Sequence, residues 1–185
     1  PIIVALGNDA QQQRYLWPML AGEELWCQLF SEPGAGSDLA NLATRAERDG
    51  DVYRVNGQKI WTSLADHAKF GILIARTRRD VSKHRGISYF IVPMDLPGIE
   101  VRPIRNMAGD TGFNEVFFTD ARVPAENLIG EETLGGGMAN TTPANERVSW
   151  STGGGLQWGS GPSCRGARQP PRPPARPHRP PARPA

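Results

Sequence analysis

Residues 29–40, LFSEPGAGSDLA, place a proline, two glycines, two serines and two acids in one short bend directly after an apolar run. Pro33 fixes one φ, while Gly34 and Gly36 permit backbone angles closed to other residues and let a ligand approach the main chain. Ser31 and Ser37 add hydroxyls that donate or accept. Such a bend can offer N–H groups and hydroxyls to an electron-rich planar or phosphorylated ligand. The same residues also suffice for a plain chain reversal, and local chemistry leaves both readings open. A second stretch, NGQKIWTSLADHAKF over residues 56–70, ends a strand on Trp61, Thr62 and Ser63. The indole of Trp61 is a flat apolar face able to cover an aromatic ring system, with the hydroxyls at its polar edge. Taken alone, a tryptophan on a strand is more often core than platform.

The elements that must position these residues are read from periodicity. NDAQQQRYLWPMLAGEELW mixes helix formers with apolar Tyr15, Leu16, Met19 and Leu20, and Asn8 or Asp9 can cap its start. It predicts one or two short helices, broken near Pro18 and Gly22. From Leu25 the period becomes that of strands: ELWCQLF, then LATRAER and VYRVNGQKIWT flanking Asp49-Gly50, then FGILIART, GISYFIVPM, GIEVRPI and NEVFFTDARVP. Asp-Gly between two alternating runs is a hairpin signal, because such residues tolerate positive φ. The whole predicts a mainly β fold: a β-barrel or sandwich of about seven strands, preceded by short helices and followed by a disordered tail rich in Pro and Arg.

The chain has 185 residues, enough to bury a real core, and a net charge of +2 that hides two opposed parts. Residues 1–150 carry 15 Lys and Arg against all 19 Asp and Glu; residues 151–185 carry six Arg and no acid. That last segment also holds nine prolines and few aliphatic residues. It cannot bury enough surface to offset its ordering entropy, so disorder with polyproline II character is expected. Cys27 and Cys164 sit in unrelated contexts, which points to a reducing compartment. No run approaches the roughly 18 apolar residues of a membrane span. The opening PIIVALGNDA lacks the basic flank of a signal peptide.

SEPGAGSDLA and NGQKIWTS, followed in order by MAGDTGFNEVFFTDARVPAENLIGEE and ANERV, resemble the acyl-CoA dehydrogenases over about residues 1–150. These are FAD enzymes that desaturate acyl-CoA thioesters, and the motifs fall in their central β-domain. The resemblance implies that Gln28, Phe30 and Ser31 lie against the isoalloxazine. It implies that Gly36 and Ser37 contact the flavin phosphate or, through Ser37, the acyl-thioester arm of the substrate. Trp61, Thr62 and Ser63 match the segment packed on the ring, Ser63 standing where a hydroxyl faces flavin N5. Gln28 departs from the aromatic residue often found at its position. In the family a carboxylate removes a proton next to the thioester carbonyl while the β-carbon passes a hydride to the flavin; hydrogen bonds to that carbonyl stabilise the developing enolate. Implied partners are acyl-CoA and an electron-accepting flavoprotein; the family is homo-oligomeric, but this chain is expected to lack the oligomerising bundle. The implied compartment is the mitochondrial matrix in a eukaryote and otherwise the cytoplasm or another reducing compartment.

The resemblance also sets domain expectations: the end of an N-terminal helical domain over 1–24, the middle β-domain over 25–130, the start of a truncated C-terminal helical region over 131–150 and the tail over 151–185. Glu131, Glu132 and Glu146 sit in no matching motif, so no catalytic base is nominated and the chain is expected not to turn over alone. The Gly, Pro and Arg bias of the tail is what a GC-rich gene yields in a shifted frame, so a frameshift product or altered terminus is expected from about 151 onward. Competing readings are a non-catalytic β-domain binding partners through the tail and, ranked last, nucleic-acid binding by six arginines without interleaved aromatics. Adjacent Asp66 and His67 would point oppositely on a strand and are set aside. Gly135-Gly136-Gly137 lacks the Lys-Ser/Thr of a phosphate loop and reads as a linker. His67, His84 and His178 are scattered, and no metal site is proposed.

Overall fold

The computed structural model describes residues 2–36, 38–82 and 84–132. Ser37, the helical region expected beyond 132, Gly135 to Gly137, Glu146, His178, Cys164 and the tail lie outside the described residues. The order of elements is α1 (Ile2–Leu6), α2 (Asp9–Leu20), β1 (Trp26–Leu29), β2 (Arg45–Asp49), β3 (Val52–Ser63), β4 (Phe70–Arg76), β5 (Ile87–Pro93), β6 (Ile99–Ile104), β7 (Phe113–Pro124) and β8 (Leu128–Ile129).

The cap of α2 is legible in its residues. The Asn8 side chain accepts from the Gln11 N–H at 2.8 Å, and the Gln11 side chain accepts from the Asn8 N–H at 3.2 Å, a reciprocal capping box. Pro18 does not break this helix, contrary to expectation; the helix runs on to Leu20, and Gly22, at φ +72°, follows its end. A proline removes one backbone bond, and here the last turn is held from outside: Tyr15, Leu16 and Met19 pack on the apolar cluster below, with Tyr15 edge-on to Trp26 and Phe70 at 5.4 and 5.3 Å.

The strands form one sheet in the order β6-β7-β3-β2-β4-β5-β8, with β1 also paired to β4. The fold is mainly β, as the sequence predicts, with eight strands where seven were expected. The addition is β8, two residues paired with Phe90 and Tyr89 and too short to leave a periodic signal. The sheet is not closed into a barrel: among the described residues β6 pairs only with β7 and β8 only with β5, so its two ends do not meet. The hairpin between β2 and β3 pairs Asp49 with Val52, leaving Gly50 and Asp51 as the loop, and Gly50 alone supplies the positive φ.

β4 and β5 are buried on both faces, which is why FGILIAR and ISYFIVP read as continuous apolar runs. One face of β4, with Leu73 and Ala75, joins Tyr53, Val55, Phe90, Val116 and Val123. The other, with Phe70, Ile72 and Ile74, joins Ile2, Ile3, Phe30, Leu42 and Tyr89. Each Val, Leu, Ile and Phe side chain among these contributes about 1.5–3 kcal/mol on leaving water.

The topology also dictates the bend. β1 runs parallel to β4 from Trp26↔Phe70 to Leu29↔Leu73, and β2 meets the same strand at Arg45↔Arg76. The chain between them, residues 30–44, must leave this edge of β4 and return to it.

Candidate functional site

The excursion begins at Phe30, whose ring is buried against Tyr89 at 6.1 Å. The Glu32 N–H donates to the Ala35 carbonyl at 3.0 Å and the Ala35 N–H to the Glu32 carbonyl at 3.1 Å, closing a tight turn with Pro33 and Gly34 at its tip. Neither Gly34 nor Gly36 takes a positive φ, so the freedom expected of them is not what the turn uses. What they supply is absence: a methyl group added to either would meet nothing within 4 Å.

β3 approaches this bend through a bulge. Lys59 is opposite Val116 and Thr62 opposite Asn114, so β3 spends one residue more than β7 over the same span. A bulge redirects side chains. Trp61 takes φ +60° and its indole is turned outward, 58% exposed, with the Phe113 ring edge-on at 6.0 Å. A left-handed conformation costs a non-glycine residue about 1–2 kcal/mol, and such strain collects at functional positions. Thr62 is turned into the core; its carbonyl accepts from the Asn114 side chain at 3.1 Å, while its hydroxyl, also buried, has no partner among the described residues. Ser63 is exposed and lies opposite Phe113.

The two segments singled out in the sequence meet here. The Ile60 N–H donates to the Ser31 carbonyl at 2.9 Å. One residue back, the Lys59 ammonium donates to the Phe30 carbonyl at 3.1 Å and to Glu32 Oε1 at 2.8 Å. Gln28, two residues upstream of Phe30 on β1, has an exposed side chain. Gly36 is exposed at the far end of the bend, and Ser37 lies outside the described residues.

Glu32 and Lys59 escaped the sequence reading as functional residues. The Glu32 carboxylate also accepts from the N–H groups of Ala43 at 2.6 Å and Thr44 at 3.0 Å. The side chains of Lys59 and Glu32 are 0% and 5% exposed. Burial pulls the Lys59 ammonium down to about 8, opposed by Glu32. Burial alone would raise the Glu32 carboxyl, but the Lys59 charge and hydrogen bonds from Lys59, Thr44 and Ala43 hold it below the usual carboxylate range. A signal existed: Tyr53, Val55 and Lys59 fall in the same inward phase of β3, which a surface lysine would not.

The remaining candidates separate from this site. Asp66 and His67 lie in a turn, not on a strand, and approach to 3.4 Å at the surface. Glu131 and Glu132 are exposed. Among the described residues, no group of three or more His, Cys, Asp or Glu could hold a metal ion, and no helix is long and apolar enough to cross a membrane. An open cleft of about 330 Å³ runs beneath the bend, lined by Glu32, Pro33, Gly34, Thr44, Gly57 and Gln58. A larger one, about 390 Å³ between Ala65, Lys69, Met94 and Val101, includes none of the predicted site residues.

An exposed, strained indole thus lies beside an anchored loop with open space over its glycines. Residues 27–121 match the family model for the acyl-CoA dehydrogenase middle domain. The chain is 50% identical over 153 residues to the acyl-CoA dehydrogenase FadE34 of Mycobacterium tuberculosis, covering 83% of this chain and 22% of that protein. It is 48% identical over 147 residues to the acyl-CoA dehydrogenase IpdE1 of the same organism, covering 80% and 38%. The crystal structure of the ChsE4-ChsE5 complex from Mycobacterium tuberculosis superposes with a TM-score of 0.72 at 44% identity, covering 78% of this chain and 37% of that one. The chain belongs to the acyl-CoA dehydrogenase family, of which it carries the middle domain. It spans well under half the length of these relatives.

Proposed function

We propose that this chain supplies the FAD-facing middle domain of an acyl-CoA dehydrogenase. The observation that carries this reading is Trp61, held at φ +60° with its indole exposed, two residues from the ion pair that anchors the Phe30–Glu32 segment. Bound FAD supplies the hydride acceptor for α,β-desaturation of an acyl-CoA thioester. The chain's part is to orient and cover. Trp61 would offer its face to the ring system, and Ser31 and Ser63 are assigned to meet its polar edge through hydroxyl or main-chain groups. Phe30 and Thr62, whose side chains are buried, contribute through their main chain; Gln28 does the same beside them. Gly36 leaves room on the far side of the bend, and Ser37 is assigned, by the resemblance, to the flavin phosphate or the thioester arm.

The domain bounds proposed are 1–24, 25–130, 131–150 and 151–185, as the sequence predicts. Glu131, Glu132 and Glu146 match no motif of the family, no base is nominated, and desaturation by this chain alone is not expected. Acyl-CoA, an electron-accepting flavoprotein and a second dehydrogenase chain are the proposed partners; the last is supported by the two-chain complex among the structural neighbours. A reducing compartment is proposed.

The test is titration of FAD into the purified chain, followed by acyl-CoA with an artificial electron acceptor. Weak retention of FAD through purification, saturable binding on titration and no measurable desaturation are expected. A folded chain that takes no FAD at any concentration overturns the cofactor reading, and robust turnover overturns the absence of a base.

A further inference from the structure

We propose that Lys59 and Glu32 act as a positioning couple, holding the main chain of residues 30–32 against residues 59–63 so that Ser31 and Trp61 face one ligand. Only the identity of that ligand rests on the FAD reading above. The couple draws together three segments remote in sequence: the Phe30 carbonyl where the excursion starts, the Ala43 and Thr44 amides where it returns, and Lys59 itself, two residues before the strained indole. The Ile60 to Ser31 bond lies inside this set.

Stability is a weak reason to keep such a pair. Removing both charges from water costs more than their attraction commonly returns, and apolar replacements of similar volume are often as stable or more so. Geometry is the stronger reason, since a carboxylate and an ammonium accept and donate in several directions at once and no apolar pair can do so.

The experiment is amide hydrogen exchange by mass spectrometry on the full chain, with Lys59→Met and with the double variant Glu32→Leu/Lys59→Met, alongside FAD titration. In the parent chain the amides of Ala43, Thr44 and Ile60 are expected to exchange slowly and as one group. Lys59→Met, which strands a buried carboxylate, should lower their protection about 100-fold or more while β4 and β5 change far less. The double variant should regain the urea midpoint of the parent but neither that protection nor its FAD affinity. A double variant that keeps both, or a loss spread evenly over β4 and β5, would overturn the proposal. If Lys59→Met does not fold, the parent decides: Ala43 and Thr44 amides exchanging as fast as the exposed Gly50 turn would refute the couple, and exchange as slow as β4 would support it. Should FAD fail to bind the parent, the cofactor reading falls while the exchange results still judge the couple.

Discussion

Replacing Trp61 by Asn separates what the residue does for the fold from what it does for a ligand. Asn tolerates the left-handed region, so the substitution at φ +60° releases backbone strain of about 1–2 kcal/mol. It loses the edge contact with Phe113, worth about 0.5–1.5 kcal/mol. The buried remainder of the indole, about 60–100 Å² at about 25 cal/mol per Å², is lost as well, so the losses modestly outweigh the gain and the unfolding free energy should fall by no more than about 2 kcal/mol. Binding should not be spared. An aromatic side chain presents about 150–250 Å², of which 58% exposure leaves roughly 100 Å² or more for a ligand. Covering about 60 Å² of it at about 25 cal/mol per Å² gives about 1.5 kcal/mol, or roughly tenfold in Kd. Urea unfolding followed by far-ultraviolet circular dichroism measures the first quantity, and quenching of flavin fluorescence on titration measures the second. A stability loss above about 2 kcal/mol would make the indole part of the core. An unchanged Kd for FAD would remove it from the site; either result refutes the reasoning.

Three further outcomes follow from particular contacts. Glu24 lies between Arg14 at 2.9 Å and Lys69 at 2.8 Å, and hydrogen bonds from Arg14 and then Lys69 bring its pKa from 4.5 down to about 2. A depressed carboxylate stabilises the fold above its unfolded value and loses that contribution as pH falls through the folded one. Glu24→Gln should therefore unfold at lower urea than the parent at neutral pH, the gap closing between pH 4.5 and about 2. Gly57→Ala should destabilise by about 1–3 kcal/mol in urea unfolding, because at φ +152° the new methyl would meet the Thr44 Cα at 2.7 Å. Tyr53→Phe should leave stability unchanged or raise it by about 1 kcal/mol, since the buried Tyr53 hydroxyl has no partner among the described residues while its ring packs on Phe90 at 4.9 Å; a higher thermal midpoint or an unchanged one is the expected reading.

Local order in this protein is written in short-range pattern. The Asn8 and Gln11 capping box, the Gly50 turn, the double burial of FGILIAR and the turn at Pro33-Gly34 each involve residues a few positions apart, and propensity and period report such terms directly. The motifs on either side of the hairpin are legible for a related reason: their chemistry resides in residue type. What periodicity could not reach was pairing at a distance. The parallel pairing of Trp26 with Phe70, the open ends of the sheet at β6 and β8, and the continuation of α2 past Pro18 depend on neighbours far along the chain.

The same division runs through the site. Residue type made Ser31, Trp61, Thr62 and Ser63 candidates for a flat polar-edged ligand, and the order of the motifs they stand in, through the family resemblance, favoured that reading over core or plain turn. The sequence did not decide that Trp61 faces outward and Thr62 inward, which the one-residue mismatch between β3 and β7 imposes. Nor could it show that Lys59 turns inward to meet Glu32, for a buried charge is tolerable only once its partner has been delivered, and that partner arrives by the return of the chain to the edge of β4.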